Sequence, residues 1–163
     1  MNLIVCLLVT GIVATAVTDL WGLARKPLLG QPVPDYAPVG RWFAHMARGR
    51  FRHDSIAAAE PVPGERALGW AIHYLIGIAY AVLLVAVAGV DWLQQPTLMP
   101  ALLVGIGTVA APFLLMQPAM GAGIAAARTP RPNAARLQSL AMHTAFGIGL
   151  YAGGQAVHAL QLY

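Results

Sequence analysis

Four apolar stretches, each long enough to cross a hydrocarbon core, set the terms on which this chain can fold. They run over residues 2–23, 67–90, 99–126 and 135–160, and about 20 apolar residues suffice for one helical crossing. The fold expected is all-α: a polytopic membrane protein forming one domain over residues 1–163. It has four transmembrane helices and a cytoplasmic loop, 24–66, that carries an interfacial helix. The composition agrees, with 58% hydrophobic and 10% charged residues against about 25% charged in soluble domains. Ala14-Thr15-Ala16 resembles a signal-cleavage motif, but no Lys or Arg precedes it, so the first stretch is read as a retained helix. The single cysteine, Cys6, excludes an intrachain disulfide and sits where it packs as a small hydrophobe.

Orientation follows from charge. All ten Lys and Arg residues lie either between the first two stretches (Arg25, Lys26, Arg41, Arg48, Arg50, Arg52, Arg66) or between the last two (Arg128, Arg131, Arg136). By the positive-inside rule both segments are cytoplasmic, and the N and C termini are external. The pI near 9.7 therefore reflects orientation, and no nucleic-acid partner is expected.

The loop opens with "RKPLLGQPVPDYAPVG", whose prolines 27, 32, 34 and 38 argue against regular helix and for an extended linker. Beyond Pro38, Val39, Trp42, Phe43 and Met46 share one helical face. Arg41, His45, Arg48 and Arg52 share the opposite one at i, i+4, i+7, i+11. That pattern predicts a short helix in the interface, its rings in the acyl boundary and its cations at phosphate level. It serves either as an anchor to anionic lipid head groups or as a pocket for a phosphate-bearing ligand. "DSIAAAEPVPGE" then offers Asp54 or Ser55 as a helix start, before a Pro-Gly turn.

Ionisable residues inside the stretches need partners. Counted inward from the basic ends, Asp19, His73, Gln117 and His143 come out at one depth in the cytoplasmic half. Residues of this kind face a bundle interior or a watery cavity, and Gly11, Thr15 and Thr18 extend the Asp19 face with small side chains that let helices approach. Three readings stand: a structural hydrogen-bonded set, a proton relay, or a metal site with Asp19, His73 and His143 as ligands. Met116, Met120 and Met142 are read as packing. In the third stretch Pro112 and Pro118 free the carbonyls of Thr108 and Leu114, which predicts a kinked or unwound helix.

Read together, "TDLWGLARKPLLGQPVPDYAPVGRWFAHMARGRFRHDSI", "PVPGERALGWAIHYLIGIAYA" and "PFLLMQPAMGAGIAAARTPRPNAARLQSLAMHTAFGIGLY" resemble a family of small bacterial inner-membrane proteins known as a domain of unknown function. The resemblance spans nearly the whole chain and implies four helices in a bacterial inner membrane; no activity or cofactor comes with it. No Walker loop, G-x-S-x-G elbow, H-E-x-x-H or CxxC pair is present, and Gly105 and Gly107 are read as packing. Three functions compete. The first is a small-solute or proton-coupled carrier, or an accessory subunit, titrating at Asp19, His73 and His143 and expected to form a homodimer at this size. The second is a membrane-embedded enzyme acting on a lipid or phosphate-bearing substrate at the cytoplasmic face, gripped by Arg41, Arg48 and Arg52. The third is a structural partner without chemistry.

Overall fold

The computed structural model describes residues 2–162; Met1 and Tyr163, the ends of the expected domain, lie outside the described residues. Among these the chain is all-helical, without strands. Five helices form: α1 Leu3–Leu29, α2 Ala37–Met46, α3 Glu65–Ala88, α4 Leu98–Ala119 and α5 Pro132–Ala159. Helices α1, α3 and α4 are long and apolar enough to cross a membrane. Helix α5, at 28 residues, is long enough but is not among those apolar enough.

Two boundaries differ from the sequence reading. Helix α1 runs through Pro27 to Leu29, although the prolines argued against helix there. In the last turn Pro27 frees only the Leu23 carbonyl, and the helix stops where Gly30 takes a left-handed conformation and donates its N–H to the Lys26 carbonyl. Helix α4 ends at Ala119, short of residue 126. It is also irregular: residues 108–109 form a turn and Pro112–Met116 a π-helical stretch, where the two prolines lead one to look for a break.

The described residues group into two units. The first comprises residues 1–34, 74–108 and 141–163. Small residues set its packing. Gly11 of α1 meets the backbone of Gly77 and Ile78 in α3, Ala14 meets Gly149 of α5, Thr10 meets Gly153, and Gly105 of α4 meets Gly147. A β-carbon at Gly11, Gly77, Gly105, Gly149 or Gly153 would collide with atoms of the neighbouring helix, and one at Gly147 would fit tightly against Leu102. Thr15 and Thr18 turn their hydroxyls back onto the Gly11 and Ala14 carbonyls at 2.8 and 2.9 Å, which removes two polar groups from an apolar interior. Trp92, in the short turn Val90–Leu93, packs its ring on Gly154 and donates to the Thr97 carbonyl. Cys6 is buried and reduced, its Sγ against the Leu162 carbonyl.

The second unit comprises residues 35–73 and 109–140. Here Gly40 of α2 and Gly69 of α3 lie against each other's backbone: a β-carbon at Gly40 would meet the Glu65 carbonyl, and one at Gly69 the Tyr36 carbonyl. Between these helices the chain folds over residues 47–64, whose one helical turn among the described residues is Ile56–Ala58, beginning after Ser55. That turn is all that forms of the helix start suggested by "DSIAAAEPVPGE".

Candidate functional site

The second unit builds its site from the stretch after α2. The helix ends at Met46, and Gly49, at φ +79°, turns the chain away, a conformation that costs a side chain and suits glycine. Residues 51–55 then run beside the end of α4. The His53 N–H donates to the Ala119 carbonyl at 2.8 Å and the Ile56 N–H to the Met120 carbonyl at 3.0 Å. Gly121, at φ +94°, packs against the Asp54 and His53 carbonyls so closely that no β-carbon fits.

Arg41 locks the other side of this segment. Its Nε and Nη2 bind the two Glu65 oxygens at 2.8 and 2.7 Å, and its Nη1 reaches the carbonyls of Ile56 and Ala59 at 3.0 and 3.1 Å. Glu65 also accepts the Val62 N–H at 2.8 Å. A bidentate pair this well formed is a structural clamp. Arg41, expected from its helical face to meet lipid phosphate, thus spends its donors inside the unit.

His45 also turns inward. Its Nε2 lies 3.1 Å from the Glu60 carbonyl and its Nδ1 lies 2.8 Å from His53 Nε2. A carbonyl only accepts, so in the tautomer that satisfies Glu60 with one ring proton His45 carries that proton on Nε2 and offers the Nδ1 lone pair. His53 must then donate from Nε2, which leaves His53 Nδ1 as a lone pair. That atom is buried and has no hydrogen-bond partner among the described residues. Burial foremost, then the positive charge of Arg50 and the neighbouring His45, holds the His53 ring below its ordinary value of 6.5, so it is neutral at physiological pH.

His53 lines a groove of about 570 Å³ together with Arg50, Arg52, Asp54, Gly123 and Arg128. The bare Gly123 gives room to the Arg128 stem, whose Cγ would lie 2.9 Å from any β-carbon there. Between the lining residues Ile124 and Ala127 the chain makes an unusual turn: Ala125 and Ala126 both take positive φ, 47° and 59°, and Arg136 Nε holds the Ala125 carbonyl at 2.8 Å. Three guanidinium groups against one carboxylate give the groove a net positive charge. None of the three pairs with Asp54, because Arg41–Glu65 is the one Arg–carboxylate ion pair among the described residues.

The residues singled out by sequence fall as follows. Asp19 accepts a hydrogen bond from the Tyr74 hydroxyl at 2.9 Å. His73 stacks on Tyr36, ring centroids 4.0 Å apart, and meets the edge of Trp70. Gln117 has a buried amide oxygen without a partner among the described residues. The backbone of His143 lies against Gly105. Among the described residues no group of three or more His, Cys, Asp or Glu side chains is placed to hold a metal ion. The stripe Arg41, His45, Arg48, Arg52 divides: the first two are bonded inside the unit, Arg48 is exposed and Arg52 lines the groove. His53 and Asp54 were not singled out as site residues, and Arg50 and Arg128 entered only as charge. "RGRFRH" read as extended chain places Arg50 and Arg52 two apart on one side; helical counting carried past Gly49 hid that.

A family profile described as "Protein of unknown function (DUF2938)" matches residues 8–157. The chain belongs to the DUF2938 family. The match takes in every element of the second unit, so the His53 groove is part of the DUF2938 region itself. Comparison of this DUF2938 chain with curated proteins and with solved structures returned no match.

Proposed function

We propose that this chain is a bacterial inner-membrane protein whose basic groove binds a phosphate-bearing ligand at the cytoplasmic face. The observation that carries the reading is the groove itself. Arg50, Arg52 and Arg128 line it, none is engaged by the single carboxylate present, and guanidinium is the side chain best matched to phosphate. Its volume of about 570 Å³ suits a head group or small metabolite. Membrane residence is supported by the apolar residues that α1, α3 and α4 leave exposed, among them Ile4, Leu20, Leu75, Val87, Leu103 and Leu115. In a water-soluble protein an apolar surface of that extent would be a liability. Eight of the ten basic residues, all but Arg25 and Lys26, belong to the second unit, which supports placing it on the cytoplasmic side with both termini external. Anionic lipid head groups are natural partners for such a unit.

The test is titration of the detergent-solubilised chain with glycerol phosphate and, separately, with phosphatidylglycerol vesicles, read as a ligand-dependent rise in melting temperature. Replacing Arg50, Arg52 and Arg128 together by Gln should weaken binding by about 100-fold or more, since each lost contact is charge-assisted. Undiminished binding overturns the proposal. A proton-linked carrier, the competing reading, draws on the Asp19–Tyr74 hydrogen bond and on His73, Gln117 and His143. It requires Asp19→Asn to abolish proton flux into liposomes, a change that should leave groove binding untouched.

A further inference from the structure

We infer that the groove takes a zwitterion: a phosphate ester that also carries a primary ammonium group, of the phosphoethanolamine type, with the phosphate on the arginines and the ammonium shared by Asp54 and His53 Nδ1. The inference rests on the groove reading above and goes beyond it by naming what the groove's non-cationic side recognises.

The argument starts from the two acceptors. The carbonyl of Glu60 fixes the protons along the chain Glu60–His45–His53, so that His53 presents a lone pair at Nδ1 and no N–H. The His53 residue is 6% exposed, and the Nδ1 atom has no partner among the described residues. A buried acceptor without a donor is costly unless something supplies one. Asp54, the next residue and an exposed one, lines the same groove, and its carboxylate pairs with none of the three arginines. A simple phosphate would satisfy the cations, but it would be repelled by Asp54 and would leave His53 without a donor. A hydroxyl-bearing phosphate such as glycerol phosphate could give His53 a donor without offsetting the carboxylate charge. A primary ammonium does both: it has three N–H donors, a positive charge for Asp54, and N–H groups to spare for His53. A quaternary ammonium keeps the charge and loses every donor.

Comparison of O-phosphoethanolamine with phosphocholine, inorganic phosphate and glycerol phosphate tests this on the full-length chain in detergent. Phosphoethanolamine should bind about tenfold or more tighter than phosphocholine, the expected worth of hydrogen bonds from a charged donor. Asp54→Asn, at an exposed position, should erase that preference, and inorganic phosphate, freed of the carboxylate's repulsion, should bind the variant more tightly than the unaltered chain. His53→Gln should reduce the preference in the same direction if the variant folds. Equal affinity for the two amine esters overturns the inference, and so does a preference that survives Asp54→Asn. Failure of the groove reading looks different: the arginine variants would then bind all four compounds as well as the unaltered chain does. Repeating the comparison with vesicles containing phosphatidylethanolamine or phosphatidylcholine in a neutral background separates the sources. Discrimination in both formats points to a lipid head group, and discrimination only among the soluble esters points to a free metabolite.

Discussion

His53 owes its chemistry to neighbours that deny it a charge. Burial, Arg50 and His45 hold its ring below the ordinary value of 6.5, and Arg52, Arg128 and Asp54 are the other charged groups lining the same groove. The sign of the effect on stability follows. As pH falls below about 6.5 the unfolded chain protonates this ring before the native chain does, so the unfolded state binds more protons and stability falls until the lowered folded value is passed. Thermal melts in detergent between pH 7.5 and 5 should therefore show a declining melting temperature, shallower in His53→Gln than in the unaltered chain. Identical slopes would remove His53 from the account. The sequence alone offered little toward this. "GRFRHDS" reads as a string of exposed charge, and only the carbonyl that fixes the His45 tautomer, contributed by Glu60 fifteen positions away, makes His53 an acceptor.

Individual elements were legible in proportion to how far local rules governed them. The three most apolar helices could be read directly, because hydropathy and length decide a crossing wherever the chain is. The proline-rich break in α4 could be read as well, since a missing N–H acts locally whatever surrounds it; Pro112 opens the π-helical stretch. The loop resisted because tertiary bonds decide it. The face of α2 that looked solvent-facing carries Arg41 and His45 inward, where Glu65 and His53 satisfy them, and no periodicity announces a partner 24 residues away. The turn after α4 also has a conformation that its sequence does not suggest, with two alanines at positive φ. Such a residue is strained by about 1–2 kcal/mol relative to glycine. Ala125→Gly should therefore hold stability or raise it by up to about 1 kcal/mol, where the same change within a helix would lower it by a similar amount. Chemical denaturation of the two proteins side by side measures this, and a clear loss would mean that the turn relaxes in solution.

For the molecule as a whole, orientation is the property most exposed to experiment. Reporter fusions near Gln94 and at the C terminus should both read as external, and one after Arg131 as cytoplasmic. An internal C terminus would leave α5, the least apolar of the long helices, outside the bilayer. The first unit carries a further consequence. Its largest fully buried side chains are few, Leu84, Leu93 and Leu150 among them, while its helices touch at Gly11, Gly77, Gly105, Gly147, Gly149 and Gly153. The usual map of mutational tolerance is thereby inverted. In a soluble core, truncating a leucine is the damaging change. Here, adding a single methyl group at any of these glycines but Gly147 should do more harm, so in a saturation scan the intolerant sites of this unit should trace its smallest residues, with its many outward leucines varying freely among other apolar types.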